Sequence, residues 1–259
     1  MSIASTDSAP SAEPRPTGDA GPRTAVVIPA AGRGVRLGPG APKALRELGG
    51  TPMLIHAVRA TARARTVGLV VVVAPPDGAW GVRSLLDAHE LTDVAVVPGG
   101  DTRQDSVRRG LAALPDTVET VLVHDAARPL VPHETVDAVV AAVREGAPAV
   151  VPALPVADTV KQVEPRTDAE PEPVTGTPDR ARLRAVQTPQ GFDREVLARA
   201  HARLAPEGEG ATDDAGMVER LGVEVVVVRG HEEAFKVTRP LDLVLAEAVL
   251  ARRKANVEY

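Results

Sequence analysis

Arg33, Arg36 and Lys43 follow an apolar run, VVIP (26–29), and are interleaved with Gly32, Gly34, Gly38 and Gly40. Backbone amides of such a glycine loop can cradle a polyphosphate, and the cations can neutralise it. A surface loop that is merely basic has the same composition, and the loop alone does not separate the two. It does exclude two familiar phosphate loops. The dinucleotide fingerprint needs a third glycine where Leu37 stands and opens directly into a helix, which Pro39 and Pro42 forbid. No Gly-Lys-Ser/Thr follows, so it is not a P-loop either.

Four further stretches carry chemistry-bearing side chains. VLVHDAARPLV (121–131) ends a strand pattern in His124-Asp125, and α/β sheets place ligands at that end of a parallel strand. Asp125 can hold a nucleotide-bound Mg2+ there, or cap the next turn and pair with Arg128. VPGGDTRQDSV (97–107) is a second glycine turn after a strand. Its Asp101, Ser106 and backbone amides are suited to a base or ribose, or form a plain helix entry. FKVTRPLDL (235–243) places Lys236 in a short apolar strand pattern, where a lysine is uncommon unless paired or reaching a ligand. Thr159, Arg180 and Thr188 could form a second phosphate site, the threonines having structural readings as well. Of the 30 basic residues only Lys43, Lys161, Lys236 and Lys254 are lysine. In an arginine-preferring chain a lysine suggests a site that wants a compact charge, although Lys254 in ARRKANVEY reads as chance.

The elements that must position these residues are legible from periodicity. Strand patterns at 24–29, 68–74, 94–98, 120–125, 149–153 and 223–228 alternate with helical patterns at 51–65, 83–91, 104–114 and 132–146. A last helix, 239–253, has Pro240 in its first turn. This alternation predicts an α/β fold: a Rossmann-like, mostly parallel sheet flanked by helices. From Ala157 to Gln187 the rhythm breaks. DTVKQV and ARLRAVQ flank a centre rich in Pro, Glu, Asp and Thr, which predicts a projecting β-hairpin arm. An arm with little core of its own needs a surface to pack on, and a second subunit is the economical one. Residues 1–22 read as a disordered polar tail and 23–259 as one domain.

Composition narrows the function classes. The net charge of −5 argues against a general nucleic-acid binder, and no apolar run reaches the length of a membrane span. Cysteine is absent, which removes disulfides, thiol nucleophiles and cysteine-ligated zinc, and a cytoplasmic enzyme fits. Aromatics make up 2% of the chain, so a bound base would be selected by hydrogen bonds rather than stacking.

Taken in order, PAAGRGVRLG…PK, GGDTRQDSV, HDAARP, DTVK, TPQGF and KVTRPLDL over residues 24–253 resemble the 2-C-methyl-D-erythritol 4-phosphate cytidylyltransferase family of the non-mevalonate isoprenoid pathway. The resemblance implies that Arg36 and Lys43 stabilise the transition state at the α-phosphate of CTP. It implies backbone contacts to the nucleotide from Ala30, Ala31 and Gly32, a cytidine-binding turn of Gly100, Asp101 and Ser106, and Asp125 and Ala126 beside the ribose and the metal-bound phosphates. Thr159, Arg180, Thr188 and Lys236 would hold the methylerythritol phosphate, Thr159 reaching across from a neighbouring subunit's arm in a homodimer. Mg2+ would be held mainly by the CTP phosphates. An acceptor phosphate that is already anionic needs no general base, so charge and position would carry the catalysis. Two rivals stay open: a ribitol 5-phosphate cytidylyltransferase with similar phosphate contacts, and a nucleotide-binding assembly module without catalysis.

Overall fold

A computed structural model describes residues 21–32, 42–167, 170–204 and 213–257. The strands are β1 (Thr24–Pro29), β2 (Glu47–Leu48), β3 (Thr51–Pro52), β4 (Leu69–Ala74), β5 (Ala95–Pro98), β6 (Thr120–Val123), β7 (Ala149–Pro155), β8 (Gln162–Val163), β9 (Val174–Gly176), β10 (Arg184–Val186), β11 (Gln190–Asp193) and β12 (Val226–Arg229). The helices are α1 (Met53–Ala62), α2 (Ala79–Ala88), α3 (Arg103–Ala112), α4 (His133–Arg144), α5 (Arg194–Leu204), α6 (Asp214–Arg220) and α7 (Pro240–Val257).

The main sheet runs β10-β7-β11-β6-β1-β4-β5, with β12 also paired to β7. Strands β5, β4, β1 and β6 are parallel, Val27 standing opposite Val71 on one side and Val123 on the other. The chain moves outward from β1 through β4 to β5 and then returns to lay β6 against the free side of β1. That reversal opens a crevice beyond the carboxyl ends of β1 and β6, where open α/β sheets bind ligands.

Strands that are apolar throughout need cover on both faces. Val26, Ile28, Val72 and Leu122 pack beneath α1 and α4, while Val27, Val73, Val121 and Val123 pack against α3 and α5. Helix α3 lies so close to the sheet that a Cβ at Gly110 would meet Cγ1 of Val27 at 2.5 Å. This proximity fixes the start of α3, and with it Arg103, over the crevice.

The arm differs from its sequence reading in one respect. DTVKQV does not pair with ARLRAVQ; β8 pairs with β9, inside the acidic, proline-rich stretch, and β10 joins the main sheet beside β7. Ala185 and Val186 of that run stand opposite the apolar Leu154 and Ala153 of β7, and this register favours the main sheet over the arm. The KVTRP stretch is not a strand either. It is an extended segment tied to the fold by the Val237 N–H donating to the Ala127 carbonyl at 2.8 Å. Among the elements that escaped the periodicity are β11, α5 and α6.

Candidate active site

Three loops converge on the crevice. At the end of β1 the Ala30 N–H donates to the Val73 carbonyl at 2.8 Å, which carries Ala31 and Gly32 into the opening. At the end of β5 the Gly99 N–H donates to the Ala74 carbonyl at 2.7 Å, and the Gly100 N–H donates to Oγ of buried Ser106 at 3.2 Å. A Cβ on Gly100 would lie 2.4 Å from that of Asp105, so the turn admits only glycine there. Thr102 then caps α3, its Oγ1 accepting from the Asp105 N–H at 3.0 Å. The end of β6 supplies Asp125.

These loops enclose a cavity of about 180 Å3 bordered by Ala31, Gly32, Gly100, Asp101, Ser106 and Asp125. A wider space of about 670 Å3 opens beside it, between Ala30, Pro42, Leu45, the Pro75–Gly78 turn and the first turn of α2. On the other side of Asp125 lies a cavity of about 220 Å3 whose walls include Arg103, Arg128, Thr188, Gln190 and Lys236. Arg103 and Asp125 border both the first and the third. The crevice therefore has two compartments with one carboxylate and one guanidinium at their boundary.

Asp125 is surrounded by cations. Its Oδ2 lies 2.8 Å from Lys236 Nζ and 3.8 Å from Arg128 Nε, and its Oδ1 lies 3.7 Å from Arg103 Nη2. Burial acts to raise its pKa, but Lys236 foremost, then Arg103 and Arg128, outweigh burial and bring it down to about 2. Arg128 is itself anchored, donating to the Ala234 carbonyl at 2.7 Å and the Val186 carbonyl at 3.3 Å. Lys236 keeps 41% of its side chain exposed and so can meet a ligand.

Beneath Asp125 lies a buried polar relay. The Asp125 N–H donates to Thr188 Oγ1 at 3.0 Å, and Thr188 Oγ1 lies 3.1 Å from His124 Nδ1. His124 Nε2 lies 3.1 Å from the Arg128 carbonyl. A neutral ring protonated on Nε2 satisfies all three contacts, with the threonine hydroxyl donating to Nδ1. Burial, opposed by the charge of Asp125, lowers the His124 pKa to about 4. Because this lies below the unfolded value of about 6.5, stability is full above that value and declines as pH falls toward 4. Between pH 7 and pH 5 the His124 contribution is expected to fall by about 2 kcal/mol. Urea unfolding of the wild type and of His124→Gln at both pH values checks this; an equal loss of stability in both proteins would remove His124 as the cause.

The same residues bear on metal binding. Among the described residues no three His, Asp or Glu side chains gather at one point. One carboxylate fits Mg2+ that arrives on a polyphosphate and keeps most of its waters, not a metal caged by protein. Of the two Asp125 oxygens Oδ1 is the less engaged, facing Arg103 at 3.7 Å, whereas Oδ2 faces Lys236 at 2.8 Å.

Among the sequence-derived candidates, Ala30, Ala31, Gly32, Gly100, Asp101, Ser106, Asp125, Thr188 and Lys236 all border the three spaces. Ala126 is buried next to Asp125. Lys43 opens a short 3-10 turn, Lys43–Leu45, whose Leu45 borders the wide space. Its charge reaches Asp242 at the start of α7; the Arg239 N–H is the main cause of that carboxyl's lowered pKa and Lys43 a lesser one. Arg33 and Arg36 lie outside the described residues. Thr159 and Arg180 do not border either small cavity. Both are exposed on the arm, where Arg180 Nη1 donates to the Ala157 carbonyl at 2.7 Å. Sequence reasoning missed Arg103, although a cation at the first position of a helix opposes the helix dipole and was a usable signal. It also treated Arg128 only as a local partner of Asp125 and passed over Gln190.

Residues 24–252 match the family model described as 2-C-methyl-D-erythritol 4-phosphate cytidylyltransferase. The chain is 75% identical over 238 residues to the protein of that name from Streptomyces coelicolor, covering 90% of this chain and 87% of the relative. It is 58% identical over 233 residues to the one from Frankia casuarinae, covering 90% and 83%. Among solved structures, 2-C-methyl-D-erythritol 4-phosphate cytidylyltransferase from Thermus thermophilus superimposes with a TM-score of 0.68 at 38% identity, covering 88% of this chain and 98% of that one. The 4-diphosphocytidyl-2C-methyl-D-erythritol synthase from Anaerococcus prevotii gives 0.75 at 28% identity, covering 88% and 96%. The two-compartment crevice and these matches lead to one conclusion: the chain belongs to the 2-C-methyl-D-erythritol 4-phosphate cytidylyltransferase family.

Proposed function

We propose that the two compartments divide the substrates of a cytidylyl transfer, CTP on the Gly100 side and the acceptor phosphate on the Lys236 side. The enzyme is a nucleotidyltransferase of the non-mevalonate isoprenoid pathway. It moves a cytidylyl group from CTP to 2-C-methyl-D-erythritol 4-phosphate and releases pyrophosphate. The observation that carries the division is the shared boundary. Asp125 and Arg103 separate a glycine-lined cavity from a cationic one, so two phosphate groups can meet there.

An oxygen of the acceptor phosphate attacks the α-phosphorus in line, and the bond to the β-phosphate oxygen breaks. The nucleophile is anionic near neutral pH, so orientation and charge suffice. Lys43, with Arg36, neutralises charge building on the equatorial oxygens, and Lys236 with Arg128 holds the acceptor. Mg2+ carried on the triphosphate supplies further neutralisation when bound. A homodimer belongs to the same reading. Thr159 and Arg180 lie on the arm rather than at the cavity, and the arm exposes Val160, Val163 and Val174, the last by 57%. A two-stranded ribbon with exposed valines gains most of its stability by packing on another surface. A cytoplasmic location, where nucleoside triphosphates are held, completes it.

The test is pyrophosphate release with CTP and a panel of polyol phosphates, with ATP, GTP and UTP as controls. Release is expected with CTP and methylerythritol phosphate. Release with ribitol 5-phosphate alone would transfer the chain to the rival acceptor, and CTP binding without any release would make it a binding module.

A further inference from the structure

Behind the crevice runs a second chain of charge that the roles above do not use. Arg103 Nη2 lies 2.7 Å from Asp214 Oδ2, and Asp214 Oδ1 lies 3.0 Å from His201 Nε2. Asp214, the first residue of α6, is 0% exposed, and His201 on α5 is 2% exposed. Arg103 keeps 34% of its side chain exposed and borders both compartments. One nitrogen of the guanidinium is thus ion-paired with a buried anion, without the alignment of a hydrogen bond, while the side chain also borders the crevice.

Burying a carboxylate is costly, and a pair of this kind is seldom a source of net stability. Its effect on position is easier to see. Asp125 is the competing anion, 3.7 Å from the same nitrogen of Arg103 and already 2.8 Å from Lys236. Without Asp214 the guanidinium would be drawn onto Asp125 and would compete with Lys236 for it. Asp214 therefore keeps the two cations apart. His201 acts from behind. Its Nδ1 is buried with no hydrogen-bond partner among the described residues. Its Nε2 donates to Oδ1 of Asp214, which leaves Oδ2 to face Arg103. Burial acts to raise the Asp214 pKa, yet the hydrogen bond to His201 and the charge of Arg103 outweigh it and keep the carboxyl ionised.

We propose that Asp214 is a positioning residue for the transfer: with His201 it holds Arg103 at the boundary of the compartments, and Arg103 contacts the attacking phosphate. Arg103's planar donor fork suits a phosphate, which it can engage through two nitrogens. The proposal rests on the division of substrates given above.

A double-mutant cycle in the full-length enzyme tests it, with CTP and methylerythritol phosphate varied separately. Arg103→Gln and Asp214→Asn are each expected to lower kcat/KM for the acceptor by about tenfold to a hundredfold, the range for a charge-assisted hydrogen bond. CTP affinity, measured by titration, should stay within about threefold. In the Arg103→Gln background, Asp214→Asn should cost nothing further, because both act through one guanidinium. His201→Gln, which keeps a donor for Oδ1, should show a smaller loss that also vanishes in that background. It serves as the second probe if thermal unfolding shows that Asp214→Asn does not fold. Losses that add in the double variant would make Asp214 structural and overturn the proposal. An active wild type with Arg103→Gln within threefold of it sinks this assignment alone, whereas a wild type that releases no pyrophosphate sinks the substrate division as well.

Discussion

Lys43→Ala is expected to lower kcat by about a hundredfold to a thousandfold while CTP affinity changes only a few-fold. The size follows from removing one preorganised donor at the point where charge develops, on the order of 3–4 kcal/mol of transition-state stabilisation. In the ground state the negative charge of CTP is spread over three phosphates and shared with Mg2+, and one cation contributes modestly. In the transition state, charge gathers on the equatorial oxygens of the α-phosphate, and a cation fixed beside them counts for more. Lys43 is suited to this because Pro42 sets the entry to its turn, and because the Leu45 N–H to the Pro42 carbonyl at 2.8 Å closes that turn. Steady-state turnover together with a CTP titration decides the point. An unchanged kcat with a raised KM would show uniform binding instead and remove Lys43 from the chemistry.

The position of that lysine also shows what the sequence makes legible. The parallel half of the sheet could be read because β1, β4, β5 and β6 are short, apolar runs, leaving little room for another assignment. Crevice residues at strand ends, Asp125 and the Gly100 turn, followed from that topology. The antiparallel half was harder. QGFD at β11 has one large apolar residue, Phe192, and becomes a strand only because β6 and β7 offer edges on both sides of it. Helix α6 spans seven residues, too few for a periodic signal, yet it delivers Asp214 to Arg103. A pairing such as that one, between residues far apart in the chain, leaves no mark in local spacing. The arm illustrates the same limit: the run that resembled its second strand had an edge of β7 available, and the main sheet took it.

Asp125→Asn should produce a loss of similar kind by a different route, and the two variants separate on stability. Asparagine keeps the shape but removes the anion beside Lys236, Arg103 and Arg128, at 2.8, 3.7 and 3.8 Å. Lys236 then loses its fixed position, and misplacement by about 1 Å at a reacting phosphate can cost about a hundredfold in turnover. The acceptor KM is expected to stay equal or fall, since a compartment with uncompensated positive charge binds phosphates at least as well in the ground state. Stability must fall too. The carboxyl titrates at about 2 in the fold, below the unfolded value, so its ionisation stabilises the protein fully above about pH 4. Linkage puts that contribution at roughly 2 kcal/mol, present at pH 7 and lost as pH falls toward 2. Denaturant unfolding at pH 7 should show it for Asp125→Asn and not for Lys43→Ala. A normal kcat in Asp125→Asn, or a raised acceptor KM as its only defect, would mean that the carboxylate holds the fold and not the reaction.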